Sequence, residues 1–433
     1  MHLKFMNVRM QRTFFSFTEN TSKIRIMQNT FRRFLTVTTL AFSLNGLALA
    51  APAAPTVAPV NAPVPMPAPG IPSPMNMPVP SAPTLAAKSY MLMDFNSGQF
   101  LVEQNPDMRV EPASITKLMT AYIIYAAMQR GDLMPETMVN ISEKAWRMEG
   151  SKMFVRVGTQ VKVDDLLKGM IIQSGNDATI ALAEHIAGSE EAFAAMMNHE
   201  AQRLGLTGTH FVNSTGWPDA NHYSTARDVA HLFAAVIRDF PEHYKREGEK
   251  EFVWNNIKQI NRNRLLWRDP TVDGGKTGHT ESAGFCLAAS AQREGMRLIS
   301  VVLGAPSDAA RAEQTAVLLN YGFRFFETRL VRKAGDVLEE PRIWKGAEKT
   351  AKLGMANDFY VTTQRGKFEQ LNLVLDVTPN LSAPLAQGQV VGALRAKQGD
   401  KQENEAPVVV LTAVPEGGFF RRMTDSVILM FKK

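Results

Sequence analysis

Ser114-Ile115-Thr116-Lys117 opens a run to Arg130 that is rich in Ala, Leu, Ile and Met and holds neither Gly nor Pro. That composition predicts a helix over 114–130. Pro112 just upstream favours an extended entry into it. At a spacing of three, Ser114 and Lys117 share one helix face, so a hydroxyl and an amine come within reach of each other. A serine hydroxyl is a poor nucleophile near neutral pH, and a lysine can act as its base when burial or neighbouring cations depress the amine's pKa. Taken alone, the same residues suit a plain helix start, with Ser114 as cap and Lys117 in solvent.

Two further motifs favour the chemical reading. Ser174-Gly175-Asn176 lies between helical patterns over 163–173 and 177–187, which predicts a loop presenting two polar side chains. Ser174 can relay a proton toward a leaving amine, and the Asn176 amide can hold both Lys117 and a peptide carbonyl of a substrate. An ordinary capping turn, with Asn176 or Asp177 as cap, is compatible with that role. Lys276-Thr277-Gly278 directly precedes a strand pattern over 282–291. Lys276 brings a positive field and Thr277 a hydroxyl, a receptor suited to a carboxylate, while Gly278 lets a substrate backbone approach an edge strand. Each motif is weak alone, but the three in this order and spacing resemble the set of penicillin-recognising serine enzymes, with Ser-Gly-Asn standing where that set has Ser-Asp-Asn.

Around these motifs the pattern is that of an α/β (α+β) domain, a helical cluster against an antiparallel sheet, over 87–326. A hairpin is expected over 89–103 with its turn at Asn96-Ser97-Gly98, further helices over 190–204, 225–238 and 308–321, and strands over 284–291 and 296–303. Short β-branched runs then predict a small all-β domain over 330–414. Pro415-Glu416-Gly417-Gly418 ends it, and 415–433 is expected to carry an amphipathic helix: Phe419, Phe420, Met423, Val427, Met430 and Phe431 recur at helical spacing beside Arg421, Arg422, Lys432 and Lys433. Fifteen residues at about 1.5 Å each cannot cross a hydrocarbon core of roughly 30 Å, so that helix is expected to lie on a membrane surface.

A length of 433 residues suits two folded domains, and 45% hydrophobic with 21% charged residues is an ordinary globular composition. The net charge of +6 sits in residues 1–50, where seven basic side chains face Glu19 alone; the rest balances at 41 basic and 41 acidic residues. A nucleic-acid partner therefore loses its compositional support. Arg32-Arg33, the apolar stretch 34–49 and Ala48-Leu49-Ala50 read as a signal peptide over 1–50, cut after Ala50, with Met27 an alternative start. Twelve of the 24 prolines fall within 51–84, so 51–86 is read as a Pro/Ala-rich linker. Cys286 is the one cysteine, so no intramolecular disulfide is available to an exported chain. The eight histidines lack metal-ligand spacing, and neither a metal nor a cofactor is expected.

Residues 87–433 resemble the low-molecular-mass penicillin-binding proteins of the D-alanyl-D-alanine carboxypeptidase type. Beyond the three motifs, the resemblance is carried by Gln173-Ser174-Gly175-Asn176-Asp177-Ala178, Asn261-Arg262-Asn263, Val272-Asp273-Gly274-Gly275-Lys276-Thr277-Gly278-His279-Thr280 and Tyr321-Gly322-Phe323-Arg324-Phe325-Phe326. It implies removal of the terminal D-alanine from peptidoglycan stem pentapeptides through an acyl-enzyme, inhibition by β-lactams, and a periplasmic enzyme attached peripherally to the outer face of the inner membrane. It also implies Ser114 as nucleophile, Lys117 as its base, the backbone N–H groups of Ser114 and His279 as oxyanion hole, and Arg262 and Arg311 as partners for the substrate carboxylate or the motif lysine. A serine β-lactamase shares the motifs, but a class A enzyme needs a carboxylate in an E-x-x-L-N loop, and Glu184, Glu190 and Glu191 sit in helical patterns instead. An endopeptidase of the same superfamily would lack the C-terminal domain, and a non-enzymatic wall-binding scaffold would not need intact motifs.

Overall fold

The strand Ser89–Asp94 buries both faces: Tyr90 and Leu92 join one apolar cluster, Met91 and Met93 another. Side chains alternate along a strand at a period of two, so such a strand needs cover on both sides of its sheet. In the computed structural model, which describes residues 79–431, the sheet is antiparallel. Its order is Phe100–Gln104, Ser89–Asp94, Met296–Ala305, Gly284–Arg293 and Val272–Thr280. The helix Asp308–Phe325 covers one side through Leu318, Leu319 and Phe323. The other side meets a helical cluster around Lys117–Arg130, which is buried nearly all round, as befits a central helix. Ser189, Thr225 and Ser307 cap Glu190–Arg203, Ala226–Asp239 and Asp308–Phe325, each accepting from a backbone N–H three residues on.

The expected leader over 1–50, its cleavage after Ala50, residues 51–78 of the linker, and Lys432 and Lys433 lie outside the described residues. The end of the linker is seated rather than loose. Tyr321 Oη donates to the Pro80 carbonyl at 3.0 Å, Tyr90 Oη to that of Pro83 at 3.2 Å, and Gln314 Nε2 to that of Ala86 at 3.3 Å. Proline lacks an N–H but keeps its acceptor, so a proline-rich backbone remains open to such donors.

Two short antiparallel strand pairs fall outside the expected pattern. Met138–Asn140 pairs with Gln160–Lys162, three residues each and too short to show periodicity. Glu251–Trp254 pairs with Ile257–Ile260 across Asn255-Asn256, both at positive φ. That Asn-Asn pair is a legible two-residue hairpin signal.

The helix Asp308–Phe325 runs straight into the strand Phe326–Arg332, which pairs with Phe359–Gln364. A five-stranded antiparallel sheet follows, with Lys401–Val410 at its centre and a core of Ile343, Leu353, Val361, Leu394, Val408 and Val410. The turn at Asn96-Ser97-Gly98 plugs into this domain: Thr328 Oγ1 donates to buried Asp94 at 2.7 Å, and Asn404 Nδ2 to the Ser97 carbonyl at 3.1 Å.

The helix Phe419–Phe431 is docked by its polar side. Asp425, 4% exposed, accepts from Arg342 Nη2 at 3.0 Å and from Lys345 N–H at 2.7 Å. Arg421 donates to the carbonyls of Ala347 and Glu348, and Arg422 pairs with Glu416. Phe420, Met430 and Phe431 point away, 77–86% exposed. The apolar stripe is therefore exposed, while Arg421 is engaged with the β domain and Arg422 with Glu416 just before the helix. Among the described residues no helix is long and apolar enough to cross a membrane.

Candidate active site

Ser114 sits in a 3-10 turn, Ala113–Thr116, that leads into the helix from Lys117. Ala113 holds φ +48, a left-handed conformation that costs a non-glycine residue of order 1–3 kcal/mol and is typical of functional turns. The expected one-turn relation holds. Lys117 Nζ donates to Ser114 Oγ at 2.9 Å, to Asn176 Oδ1 at 2.7 Å and to the Thr215 carbonyl at 2.8 Å. Lys117 is 1% exposed, and among the described residues no carboxylate is within ion-pair distance. Burial first, then the positive charges of Lys276 and Arg262, hold its pKa well below the usual lysine value.

Two of the three neighbours of Lys117 Nζ are carbonyl oxygens, which only accept. Asn176 is oriented by its own Nδ2, which donates to the Glu149 carbonyl at 2.8 Å, so Oδ1 is the atom that faces Lys117. A neutral amine has two N–H groups, one for each carbonyl. Its lone pair is then left for the Ser114 hydroxyl.

Ser174 lies in the predicted loop, at φ +64, and Lys276 Nζ donates to its Oγ at 2.9 Å. The loop is braced by Asp177, whose carboxylate accepts from the backbone N–H groups of Met153, Phe154 and Val155. Asp177 thus ties a neighbouring segment to the helix Asn176–Ala187 instead of serving only as a cap. Lys276-Thr277-Gly278 corrects the expectation that it precedes a strand: it lies within the edge strand Val272–Thr280, paired to Gly284–Arg293. Glycines at 274, 275 and 278 weaken the strand signal in the sequence, although the sheet absorbs them. Lys276 is buried, and desolvation lowers its pKa against the opposing pull of the Glu247 carboxylate.

Gly278 makes room for the protein itself. A Cβ there would stand 2.9 Å from the Pro112 carbonyl and 3.2 Å from Ser114 N. The edge strand is thereby pressed against the turn that carries the nucleophile candidate. His279 is exposed, its ring 4.0 Å from that of Phe285, so it forms a wall.

These groups border a cleft of about 780 Å³ lined by Ser114, Ser174, Asn176, Thr277, His279 and Arg262 among others, with Lys117 and Lys276 beneath its floor. Arg262 stands exposed at the rim and forms no hydrogen bond among the described residues. Arg311 also borders the cleft, but it is buried and engaged, donating to the Gly278 carbonyl at 3.0 Å and pairing with Asp308. Asp308 is the one carboxylate on the lining among the described residues, and it is held by Arg264 as well. Glu184 accepts from Ser142, Glu190 from Ser214, and Glu191 pairs with Lys144, all away from the cleft, so none of the three is placed to activate a deacylating water. Cys286 is fully buried, and burial raises its thiol pKa to about 11, which fits an apolar filler. Among the described residues no group of His, Cys, Asp and Glu is placed to hold a metal ion.

The family model for D-alanyl-D-alanine carboxypeptidase matches residues 76–307, and that for the penicillin-binding protein 5 C-terminal domain matches 326–416. The chain belongs to the D-alanyl-D-alanine carboxypeptidase family. It is 45% identical over 358 residues to the D-alanyl-D-alanine carboxypeptidase DacC of Escherichia coli, covering 81% of this chain and 90% of the relative. Penicillin-binding protein 5 of Haemophilus influenzae superposes with a TM-score of 0.74 at 44% identity, covering 78% of this chain and 99% of that one. Penicillin-binding protein D2 of Listeria monocytogenes in its ampicillin-bound form gives 0.52 at 30% identity, covering 55% of this chain and 98% of that one.

Sequence reasoning missed the loop that completes this carboxypeptidase cleft. Asn213 Oδ1 accepts from the N–H groups of Thr215, Gly216 and Trp217, which turns the Thr215 carbonyl toward Lys117. Gly216, at φ +80, fits against the Ala113–Thr116 turn, where a Cβ would lie 1.8 Å from the Ala113 carbonyl. Asn-Ser-Thr-Gly is a turn composition, and nothing in it names its partner.

Proposed function

We propose that the protein is a serine D-alanyl-D-alanine carboxypeptidase of peptidoglycan, with Ser114 as nucleophile and Lys117 as its neutral base. The observation that carries this reading is the 2.9 Å contact between Lys117 Nζ and Ser114 Oγ, with carbonyl acceptors for the amine's other two positions. Ser114 Oγ attacks the carbonyl of the penultimate D-alanine while Lys117 takes its proton. The oxyanion is held by the backbone N–H groups of Ser114 and His279. The C–N bond breaks, Ser174 relays a proton to the departing D-alanine amine, and water then hydrolyses the ester and frees Ser114. Asn176 holds Lys117 and the peptide carbonyl, while Lys276, Thr277 and Arg262 receive the terminal carboxylate. Arg311 acts through the strand, fixing Gly278 by its carbonyl. A β-lactam presents the same serine with a strained amide and stops at the ester, in keeping with the ampicillin-bound Listeria protein.

The segments 1–50, 51–86, 87–326, 330–414 and 415–433 then read as export signal, linker, catalytic domain, β domain and surface helix. The reading includes export to the periplasm and peripheral attachment to the outer face of the inner membrane through Phe419–Phe431, whose free apolar side supports it. Mass spectrometry of the purified protein with a disaccharide-pentapeptide tests the activity. Loss of one D-alanine is expected, and an unchanged mass overturns it.

A further inference from the structure

His222 is buried, 2% exposed, and no motif includes it. Its Nε2 lies 2.8 Å from Thr116 Oγ1, and its Nδ1 accepts from the backbone N–H of Val212 at 3.2 Å. A backbone N–H can only donate, so Nδ1 is the bare nitrogen. A neutral ring then carries its proton on Nε2 and donates to Thr116. Burial, outweighing nearby Asp219, holds the ring's pKa down to about 4, so the neutral form prevails at any working pH. Phe211 packs edge-on against the ring at 5.6 Å.

The two partners belong to the two halves of the base's cradle. Thr116 is the third residue of Ser114-Ile115-Thr116-Lys117 and is 1% exposed. Val212 immediately precedes Asn213, which turns the Thr215 carbonyl onto Lys117 Nζ. The Thr116 hydroxyl also stands 2.8 Å from where a Cβ on Gly216 would be, beside the point where that loop presses on Ala113.

We propose that His222 is a positioning residue for acylation, a neutral imidazole that pins the nucleophile turn to the 212–217 loop and so keeps Ser114 and Lys117 in register. It touches neither substrate nor the reacting atoms. The inference rests on the reading of Ser114 and Lys117 as nucleophile and base. A displacement on the scale of 1 Å in such a pair lowers a rate by about a hundredfold.

The test measures acylation by a fluorescent penicillin, with non-covalent affinity fitted separately. Glutamine offers one acceptor and one donor at a separation close to that of the imidazole nitrogens; leucine offers neither. His222→Leu is expected to acylate about ten- to a hundredfold more slowly with affinity changed about threefold or less, and His222→Gln to recover to within about threefold of the wild type. Thr116→Val removes the other partner at nearly constant volume and is expected to reproduce the slow acylation, even if His222→Leu does not fold. Wild-type rates in Thr116→Val, or His222→Gln as slow as a folded His222→Leu, overturn the proposal. If the wild type is not acylated, or Ser114→Ala still is, it is the underlying assignment that fails.

Discussion

Lys276 Nζ, on the edge strand, donates to Ser174 Oγ at 2.9 Å, so the cation of the third motif and the hydroxyl of the second form a contact across the floor of the cleft. The two residues stand 102 positions apart, and the chain between them contributes helices, a hairpin and the 212–217 loop. Five outcomes follow from this arrangement and its neighbours.

Ser114→Ala removes the only hydroxyl that, among the described residues, is hydrogen-bonded to Lys117 Nζ. Fluorescent penicillin is expected to label the wild type and leave this variant dark on a denaturing gel. A labelled band in the variant would place the nucleophile elsewhere.

Lys117→Arg retains a charge but supplies no base in the accessible pH range. Acylation is expected to fall by roughly 10²–10⁴, the contribution of a positioned general base. Stopped-flow measurement near the wild-type rate would make charge, and not basicity, the function of this residue.

Lys276 is one of the two cations that depress the Lys117 pKa beyond the effect of burial. Lys276→Gln should therefore let Lys117 hold its proton to higher pH. A neutral base exists only above its pKa, so the acidic limb of the kcat/KM profile is expected to move to higher pH. Activity should fall most in Lys276→Gln and partly survive in Lys276→Arg. An unmoved acidic limb would show that the two amines do not interact.

Gly216→Ala puts a methyl 1.8 Å from the Ala113 carbonyl at φ +80. Overpacking and left-handed strain together are expected to cost roughly 2–4 kcal/mol. Denaturant melts read the stability and penicillin labelling reads the site; a variant as stable and as reactive as the wild type would contradict this fit.

Truncation after Gly418 removes the helix whose apolar side is exposed. The shortened protein is expected in the soluble fraction with penicillin acylation unchanged, since the cleft lies in the other domain. Continued sedimentation with membranes would assign the attachment to another segment.

How much of this was legible in the sequence varies from element to element. Lys117–Arg130, Asn176–Ala187 and Ala226–Asp239 stand within a residue or three of their expected bounds, because periodicity and caps act locally. Leu371–Val377 lies within 330–414, where short strands are expected. The strand Val272–Thr280 escaped notice because its glycines carry no strand propensity. Those glycines are tolerated because Tyr244 and Glu247 at Gly274, the paired strand Gly284–Arg293 at Gly275 and Pro112–Ser114 at Gly278 leave no room for side chains. Arg311 shows the same limit, since a sequence can offer a cation but not show that Gly278 and Asp308 already occupy it.

The sequence by itself determined the three motifs, their order, the family resemblance and the amphipathic pattern of the last helix, all carried by residue types at short spacings. The tertiary structure decided what each group faces. It placed Thr215, Asn213 and His222 around a lysine about a hundred residues away, and it buried Lys117 with no ion-pair partner among the described residues. It also turned Asp425 inward and Phe431 outward on one helix. Depressed pKa values, oriented carbonyls and exposed apolar faces depend on desolvation and on contacts between distant segments, and those exist only once the chain has packed.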